Sequence, residues 1–336
     1  ARRAYHDPAT RHDLGRMDVE CPHCHALHWM DEKLSKSSTA SPKFGVCCGQ
    51  GKVKLDAIPE PPALLRNMFT SMDPLYIKFR EDVWKYNRAF SFTSLGVHED
   101  HSVNGRGRGP PVFRISGELH HYSGALEAPN GQRPRYSQLY ILEPQAALDH
   151  RKALNTGLNA AIINTLQGIL LQSHQYVPVY QHAYEILQHY DPRNDIKVHL
   201  RLTPGLDKRR YNLPTADEVA VLLPEQGAAT RGRNIILRTR QNGAFLDRIS
   251  ELHPAYVPLQ YPLLFPHGTN GWHQSLTLEG GGTGRGGGDD NEGENDEQED
   301  GRRLTLCRYT SYRIMFHQNE FNLLLRGGRL FNRYNR

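Results

Sequence analysis

The sequence is poor in the features that mark membrane proteins and disulfide-rich secreted proteins. Only 38% of its 336 residues are hydrophobic, and no apolar run approaches the ~18 residues that a membrane-spanning helix needs. Five cysteines in a chain of this length, with no apolar signal segment at its start, argue against a disulfide framework. We therefore expect about two domains and no membrane association.

The motifs of the common catalytic classes are also missing. A helicase needs a P-loop, Gly-x4-Gly-Lys-Ser/Thr. The nearest candidate, Gly51-Lys52, has Val46 in place of the first glycine and Val53 in place of the hydroxyl residue. The one His-x-His, His23-Cys24-His25, lies inside a cysteine-rich stretch, and no Gly-x-Ser-x-Gly elbow or His-Glu-x-x-His helix occurs. We expect no catalytic centre within this chain.

What the sequence does contain is a cluster of cysteines near its start. Four of the five form two close pairs, Cys21/Cys24 and Cys47/Cys48. A Cys-x-x-Cys turn places two thiolates on one side of a tight knuckle, which suits two corners of a tetrahedral zinc site. Two such pairs separated by a polar loop favour structural zinc over a redox pair or a disulfide.

The remaining ligands of this zinc site are open at this point. Adjacent residues usually point their side chains apart, so the sequence favours one ligand from Cys47 and Cys48. His28 or His25 would then complete the shell. Ligation by both adjacent cysteines is the strained alternative.

Charge is segregated along the chain. The net charge of +5 includes a run at 289–300, DDNEGENDEQED, with eight acids and no base. Without those eight acids, 41 basic residues face 28 acidic ones, a surplus of +13. Such a surplus favours a polyanionic partner through phosphate contacts, although a merely basic soluble domain fits the charge equally well.

Two sets of arginines are the candidates for contacts with DNA. One set lies between glycines in the loop HEDHSVNGRGRG, and the other flanks the apolar centre of RNIILRTR, which is typical of a strand with a basic edge. Such a glycine–arginine loop is a weak signal for phosphate binding on its own. The candidates are Arg106, Arg108, Arg231, Arg233, Arg238 and Arg240.

The pattern of elements predicts an α+β fold. Asp73-Pro74 predicts a helix start, with Leu75, Phe79, Val83 and Tyr86 on one face. A helical hairpin is expected from an apolar stripe over 148–170 (Leu154, Leu158, Ile162, Leu166, Ile169) and a second helix from Pro178. Strands are expected at 112–119 and 138–142, and again in four short runs after Ile196. Prolines at 254, 258, 262 and 266 exclude a regular helix or central strand there.

These elements suggest a division of the chain into six regions. The expected regions are a lead-in (1–20), a small zinc-binding unit (21–58), a mixed helix and strand middle (72–192), a β-rich second half (193–279), a low-complexity glycine and acidic linker (280–301), and a helical C-terminal start of a further domain (302–336).

Several segments together resemble a known family. The cysteine stretches CPHCHALHW and FGVCCGQGKVKL, the middle segments NRAFSFTSLGV and PPVFRISGELHHYSGAL, and the proline-rich HPAYVPLQYPLLFPHGTNGW are similar, in order and spacing, to the N-terminal region of Helitron-type transposon proteins. These are eukaryotic rolling-circle transposases with a C-terminal DNA helicase. Residues 302–336 resemble the start of the Helitron helicase-like domain, so the chain is expected to be a piece of a longer protein.

The resemblance implies a function for the chain. It would be a DNA-binding and scaffolding N-terminal region, bound to single-stranded DNA or transposon ends and located in the nucleus. Its partners would include the nuclease and helicase domains of the same polypeptide, and ATP and Mg would bind only in that C-terminal part. The alternative is a free-standing zinc-dependent regulatory protein that binds nucleic acid.

Overall fold

A computed structural model describes residues 13–99, 115–123, 126–128, 131–188, 197–200, 219–223, 235–237, 247–248, 252–279 and 303–334. The chain divides into two compact units. Unit 1 comprises Ala1–Glu60 and Gln274–Leu325, and unit 2 comprises Pro61–His273 and Arg326–Arg336. Each unit is therefore assembled from stretches that are far apart in sequence.

The described elements are both helical and extended, which confirms the α+β class. The helices are α1 (Ala63–Thr70), α2 (Pro74–Glu81), α3 (Val83–Phe90), α4 (Gln138–Ile141), α5 (Pro144–Leu154), α6 (Ala160–Ser173), α7 (Tyr176–Gln188), α8 (Tyr256–Gln260), α9 (Leu306–Arg313), α10 (Leu323–Arg326) and α11 (Arg329–Tyr334). The strands are β1 (Val19–Glu20), β2 (Leu27–His28), β3 (Ser94–Glu99), β4 (Ile115–Ser123), β5 (Lys197–Leu200), β6 (Val219–Leu223), β7 (Ile235–Leu237) and β8 (Asp247–Arg248). Among these helices, none is long and apolar enough to cross a membrane.

Unit 1 is built around a two-stranded sheet and segments from the end of the chain. β1 and β2 pair antiparallel, with Glu20 opposite Leu27. A bridge joins Ala26 to His317, and the Leu27 amide donates to the Phe316 carbonyl over 2.8 Å. A second bridge joins Thr277 to Arg303. The N-terminal cysteine stretch thus shares its backbone pairing with residues close to the C-terminus.

Unit 2 is a helical body with two small antiparallel sheets. The sheets have the strand orders β3-β4-β8 and β6-β5-β7. A core cluster gathers aromatic and aliphatic side chains from several elements, among them Phe92, Tyr140, Tyr180 and Leu259. The Phe92 and Tyr140 rings stack with their centroids 3.9 Å apart, so that cluster is ordered by aromatic packing.

The predicted start of α2 is confirmed. The Asp73 carboxylate accepts a hydrogen bond from the Leu75 amide over 2.8 Å, and Pro74 occupies the first helical position. The expected apolar stripe does not follow one helix, because the chain breaks at Asp82 and restarts as α3. Phe79 and the stripe's α3 residues are buried, whereas Leu75 remains 37% exposed.

Two of the other predictions for the middle of the chain need correction. Residues 138–142 were expected to form a strand, but Gln138–Ile141 forms α4, whose Tyr140 is buried in the aromatic core. The stripe over 148–170 was expected to follow one helix, but the chain turns at 155–159 between α5 and α6. There the Asn159 side chain accepts hydrogen bonds from the amides of Ala161 and Ile162 and so starts a new helix.

Proline does not prevent helix formation at its two predicted sites. Pro178 lies two residues inside α7, and Pro258 lies in the first turn of α8. The first-turn amides of a helix have no intrahelical acceptor, so a missing N–H costs little there. The proline-rich segment is otherwise held by tertiary contacts, as expected: the Leu259 carbonyl accepts from Phe92, and the Gln260 carbonyl accepts from the Asn87 side chain.

The C-terminal helices follow their predicted positions. The stretch 304–316 contains α9, and Gly327-Gly328 separates α10 from α11. The β-rich character of 193–279 stays a prediction over most of 193–251, where only short strands fall among the described residues. Within that range, 252–279 contains turns, α8 and a single bridge residue rather than strands.

Candidate metal centre

The first half of the centre is the turn that joins β1 to β2. The Cys21 amide donates to the Ala26 carbonyl over 2.8 Å, and the His25 amide donates to the Cys21 carbonyl over 3.0 Å. These bonds close a tight loop around Cys21 and Cys24. His25 takes a left-handed backbone conformation (φ 61°), a geometry that turns the chain sharply enough to return it into β2.

The second half is a turn over residues 46–52. The Val53 amide donates to the Cys48 carbonyl over 2.8 Å. Gly51 has a φ of +89°, and its amide donates to the Cys48 sulfur over 3.1 Å. An N–H group that points at a sulfur stabilises the negative charge of a thiolate, so this turn prepares Cys48 to act as a ligand.

The two turns bring four sulfur atoms together. The Sγ atoms of Cys21, Cys24, Cys47 and Cys48 all lie within 4.8 Å of one another. Cys47 Sγ is 3.6 Å from Cys21 Sγ and 3.9 Å from Cys48 Sγ, and Cys21 Sγ is 3.8 Å from Cys48 Sγ. Zinc–sulfur bonds of about 2.3 Å in a tetrahedron place the sulfurs about 3.8 Å apart. The donor set and its spacing therefore fit a metal ion such as zinc.

This arrangement matches the alternative that the sequence made the less favoured one. Both Cys47 and Cys48 contribute to the group, because a turn, unlike an extended strand, allows adjacent side chains to point the same way. The two histidines considered as ligands are not members of the group. His25 Nδ1 contacts the Glu20 carboxylate at 2.6 Å, and His28 Nδ1 contacts the Glu32 carboxylate at 2.7 Å.

His28 supports the centre by packing. Its ring is fully buried and stacks on Phe44, with the ring centroids 4.0 Å apart and the planes 6° from parallel. Phe44 lies three residues before Cys47, so the stack connects β2 to the second cysteine turn. Sequence spacing suggested a ligand at His28, and the structure gives it a place in the core of unit 1.

Burial and mutual contact shape the protonation of the thiols. Hydrogen bonds from Cys24 and Cys47 hold the pKa of Cys21 well below its usual range. The contact with Cys21 raises the pKa of Cys24 to about 12 and also raises the pKa of Cys47. Neighbouring S–H groups thus stabilise one thiolate, and a bound divalent cation would be needed to deprotonate the whole set.

The C-terminal part of unit 1 covers the centre, which the sequence did not predict. The Tyr312 and His317 rings lie 5.3 Å apart, and both side chains are buried. Burial lowers the pKa of His317, while Glu320 and Cys21 oppose the shift. No spacing rule links residues near 317 to cysteines near position 21, so only the three-dimensional structure reveals this cover.

The candidates for DNA contacts stay predictions. Arg106, Arg108, Arg231, Arg233, Arg238 and Arg240 all lie outside the described residues.

A shell of four buried or partly buried cysteines is closed, with no position left for a substrate or water. Closed all-sulfur shells are typical of structural rather than catalytic zinc. The fifth cysteine, Cys307, is exposed and does not belong to the group. Neither the models of known protein families nor the curated proteins give a match to this chain.

Proposed function

We propose that this chain is a zinc-stabilised DNA-binding region of a Helitron-type rolling-circle transposase. The observation that carries the zinc part is the spacing of the four sulfur atoms, 3.6 to 3.9 Å where measured in pairs. The family resemblance of the cysteine, middle and proline-rich segments supports the transposase part. In this proposal the metal is structural, and the chain has no catalytic centre of its own.

The zinc ion would cross-link segments that have little apolar content. Residues 13–60 contain few buried hydrophobic side chains besides the cysteines, so packing alone stabilises this stretch weakly. Structural zinc in small domains contributes roughly 10–16 kcal/mol of folding free energy. Loss of the metal would therefore unfold unit 1 before the helical body of unit 2.

DNA is the proposed partner because of the charge distribution. Outside the acidic run at 289–300, the chain carries a surplus of +13, and counterion release from a polyanion rewards such a surplus. We place single-stranded DNA or transposon ends in this role, in the nucleus, with the β-rich stretch and its arginines as part of the surface. ATP and Mg belong, in this proposal, to helicase and nuclease domains elsewhere in the polypeptide.

A free-standing zinc-dependent regulatory protein that binds nucleic acid is the second candidate, since the same cysteines and charge would serve it. Sequencing of the transcript beyond Arg336 separates the two. The transposase requires an in-frame His-hydrophobe-His motif and later a P-loop.

Salt-dependent binding tests the proposed function. We expect the zinc-loaded chain to bind oligonucleotides with a slope of log K against log[salt] near −0.7 to −0.9 per phosphate contacted. Deletion of 286–301 removes an internal polyanion that competes for the basic surface, so it should tighten binding and steepen the slope. Binding no better than that of an uncharged control protein at low salt, with or without the deletion, would contradict the proposal.

A further inference from the structure

The surface where α3 and α11 pack together combines a tryptophan with arginines. The guanidinium carbon of Arg333 lies 4.0 Å from the centre of the Trp84 ring. Arg88 is exposed four residues after Trp84, and Arg329 is exposed four residues before Arg333. Residues four apart share one side of a helix. We call these four residues the tryptophan–arginine face.

The face carries positive charge that local acids do not cancel. Neither α3 nor α11 contains an acidic residue. The two acids that precede α3 have basic partners of their own: Asp82 pairs with Lys85 at 2.8 Å, and Glu81 pairs with Lys78 at 2.9 Å. The exposed arginines of the face therefore add to the potential that an approaching polyanion meets.

Contacts with the proline-rich segment hold the face in place. The Tyr261 hydroxyl donates to the Arg333 carbonyl over 2.8 Å. The Tyr334 ring meets Tyr261 edge-on, with centroids 5.6 Å apart, and lies 5.9 Å from Phe265. Because α11 is anchored in this way, a ligand would not have to order it on binding, which favours affinity.

We propose that the tryptophan–arginine face binds single-stranded DNA, an inference that rests on the proposed DNA-binding function. One base would stack against the Trp84–Arg333 pair, and the phosphates on either side would contact Arg88 and Arg329. Aromatic rings and guanidinium planes both stack on bases of any sequence. Bases in a duplex already stack on one another, so the aromatic part of the face favours a single strand.

The primary test replaces the two exposed arginines of α11. Arg329→Gln with Arg333→Gln is compared with Arg16→Gln plus Arg308→Gln, which removes the same charge at exposed positions outside the face. Affinity of the zinc-loaded full chain for a labelled oligothymidine of about 15 nucleotides is measured by fluorescence anisotropy. We expect the α11 variant to lose on the order of tenfold in affinity and to show a salt slope shallower by about 1.4, for two lost phosphate contacts. The control pair should lose markedly less.

A second pair of variants tests the stacking. Trp84→Ala should weaken binding at least about fivefold, and Trp84→Phe, which keeps an aromatic ring, should retain most of the affinity. Because Trp84 is partly buried, the unfolding temperature of both variants is measured beside the wild type, and the α11 variant remains decisive if Trp84→Ala fails to fold.

Failure of this inference is distinguishable from failure of the proposed function. If the wild type binds the oligonucleotide and the α11 variant binds as tightly as its control, the face is not the site, whereas DNA binding stands. If the wild type binds no DNA at low salt, both fall. A preference for duplex over single strand would overturn the stacking, and binding to anionic phospholipid vesicles but not to oligonucleotides would make the face a membrane surface instead.

Discussion

The sulfur atoms of Cys47 and Cys48 lie 3.9 Å apart although the residues are adjacent in the chain. The turn over residues 46–52 points both side chains to the side where Cys21 and Cys24 arrive. Adjacent residues in a strand would point to opposite faces. The whole four-sulfur geometry depends on that turn, and the first predictions concern it.

Metal content should depend on all four clustered cysteines and not on the histidines. We expect about one zinc per chain in reduced protein. Cys47→Ser and Cys48→Ser should each weaken zinc binding on the order of 100-fold, as one of four ligands that together contribute roughly 10–16 kcal/mol. His28→Gln should keep the stoichiometry, and Cys307→Ser, at the exposed fifth cysteine, is the matched control.

Metal analysis of purified variants, with competition against a chelator, measures these affinities. A His28→Gln protein that folds but carries no zinc, or a Cys47→Ser protein with unchanged affinity, would show that the shell is the mixed cysteine and histidine set. Absence of zinc from freshly reduced wild type would remove the metal centre altogether.

Glycine should be required at position 51 and dispensable at position 168. A Cβ at Gly51 would lie 3.1 Å from the His23 ring, and the φ of +89° is strained for any other residue. Gly51→Ala should therefore destabilise unit 1 by about 1–3 kcal/mol and weaken zinc binding. Gly168 is exposed inside α6 with open space around it, so Gly168→Ala should stabilise unit 2 by roughly 0.5–1 kcal/mol.

Denaturant unfolding followed by circular dichroism, with zinc release recorded in parallel, checks the two glycine variants. Equal and small effects of both substitutions would mean that the second cysteine turn tolerates a different backbone.

Stability should fall in acid because of His174. This side chain is buried, its Nδ1 makes no hydrogen bond, and burial lowers the pKa to about 3. An unfolded imidazole titrates near 6.5, so between about pH 6.5 and 3 the unfolded state binds one more proton. The stabilisation present above pH 6.5 is lost as the pH falls, at about 1.4 kcal/mol per pH unit.

The variant His174→Phe keeps a ring and cannot titrate, so its unfolding free energy should change less with pH over that window. His182→Gln, at a partly exposed histidine of α7, should preserve the wild-type pH dependence. Urea titrations at several pH values provide the comparison, and parallel curves for wild type and His174→Phe would contradict the prediction.

Lysine should be a worse substitute than methionine for Arg151. The Arg151 guanidinium is 1% exposed and lies 4.8 Å from the Phe90 ring centre and 4.7 Å from that of Tyr140. Its Nη1 donates to the Gln167 side chain over 2.7 Å. Arg151→Lys retains a buried charge without the planar stacking, and should cost about 2–4 kcal/mol. Arg151→Met removes the charge and should cost less.

Equilibrium unfolding of the two Arg151 variants in urea measures the difference. The reverse order of stability would indicate that the charge itself, rather than the stacked plane, is what this position requires.

Features that depend on a few neighbouring residues followed from the sequence alone. The helix start at Asp73-Pro74, the break at Gly327-Gly328 and the pairing of cysteines into two clusters were all predicted, because capping, glycine conformations and Cys-x-x-Cys turns act over three or four residues. The α+β class also followed, since the period of apolar residues distinguishes helices from strands.

Features that depend on distant residues were decided only by the tertiary structure. Gln138–Ile141 is helical because Tyr140 packs into a core formed by elements far along the chain. The zinc-binding unit is completed by C-terminal residues: Arg313 donates to the Asp56 carbonyl, 257 positions away. The choice of Cys47 and Cys48 together, over His28, depends on how the first and second turns meet in space. Such contacts leave no periodic pattern in the sequence, because the side chains that meet are not regularly spaced along the chain.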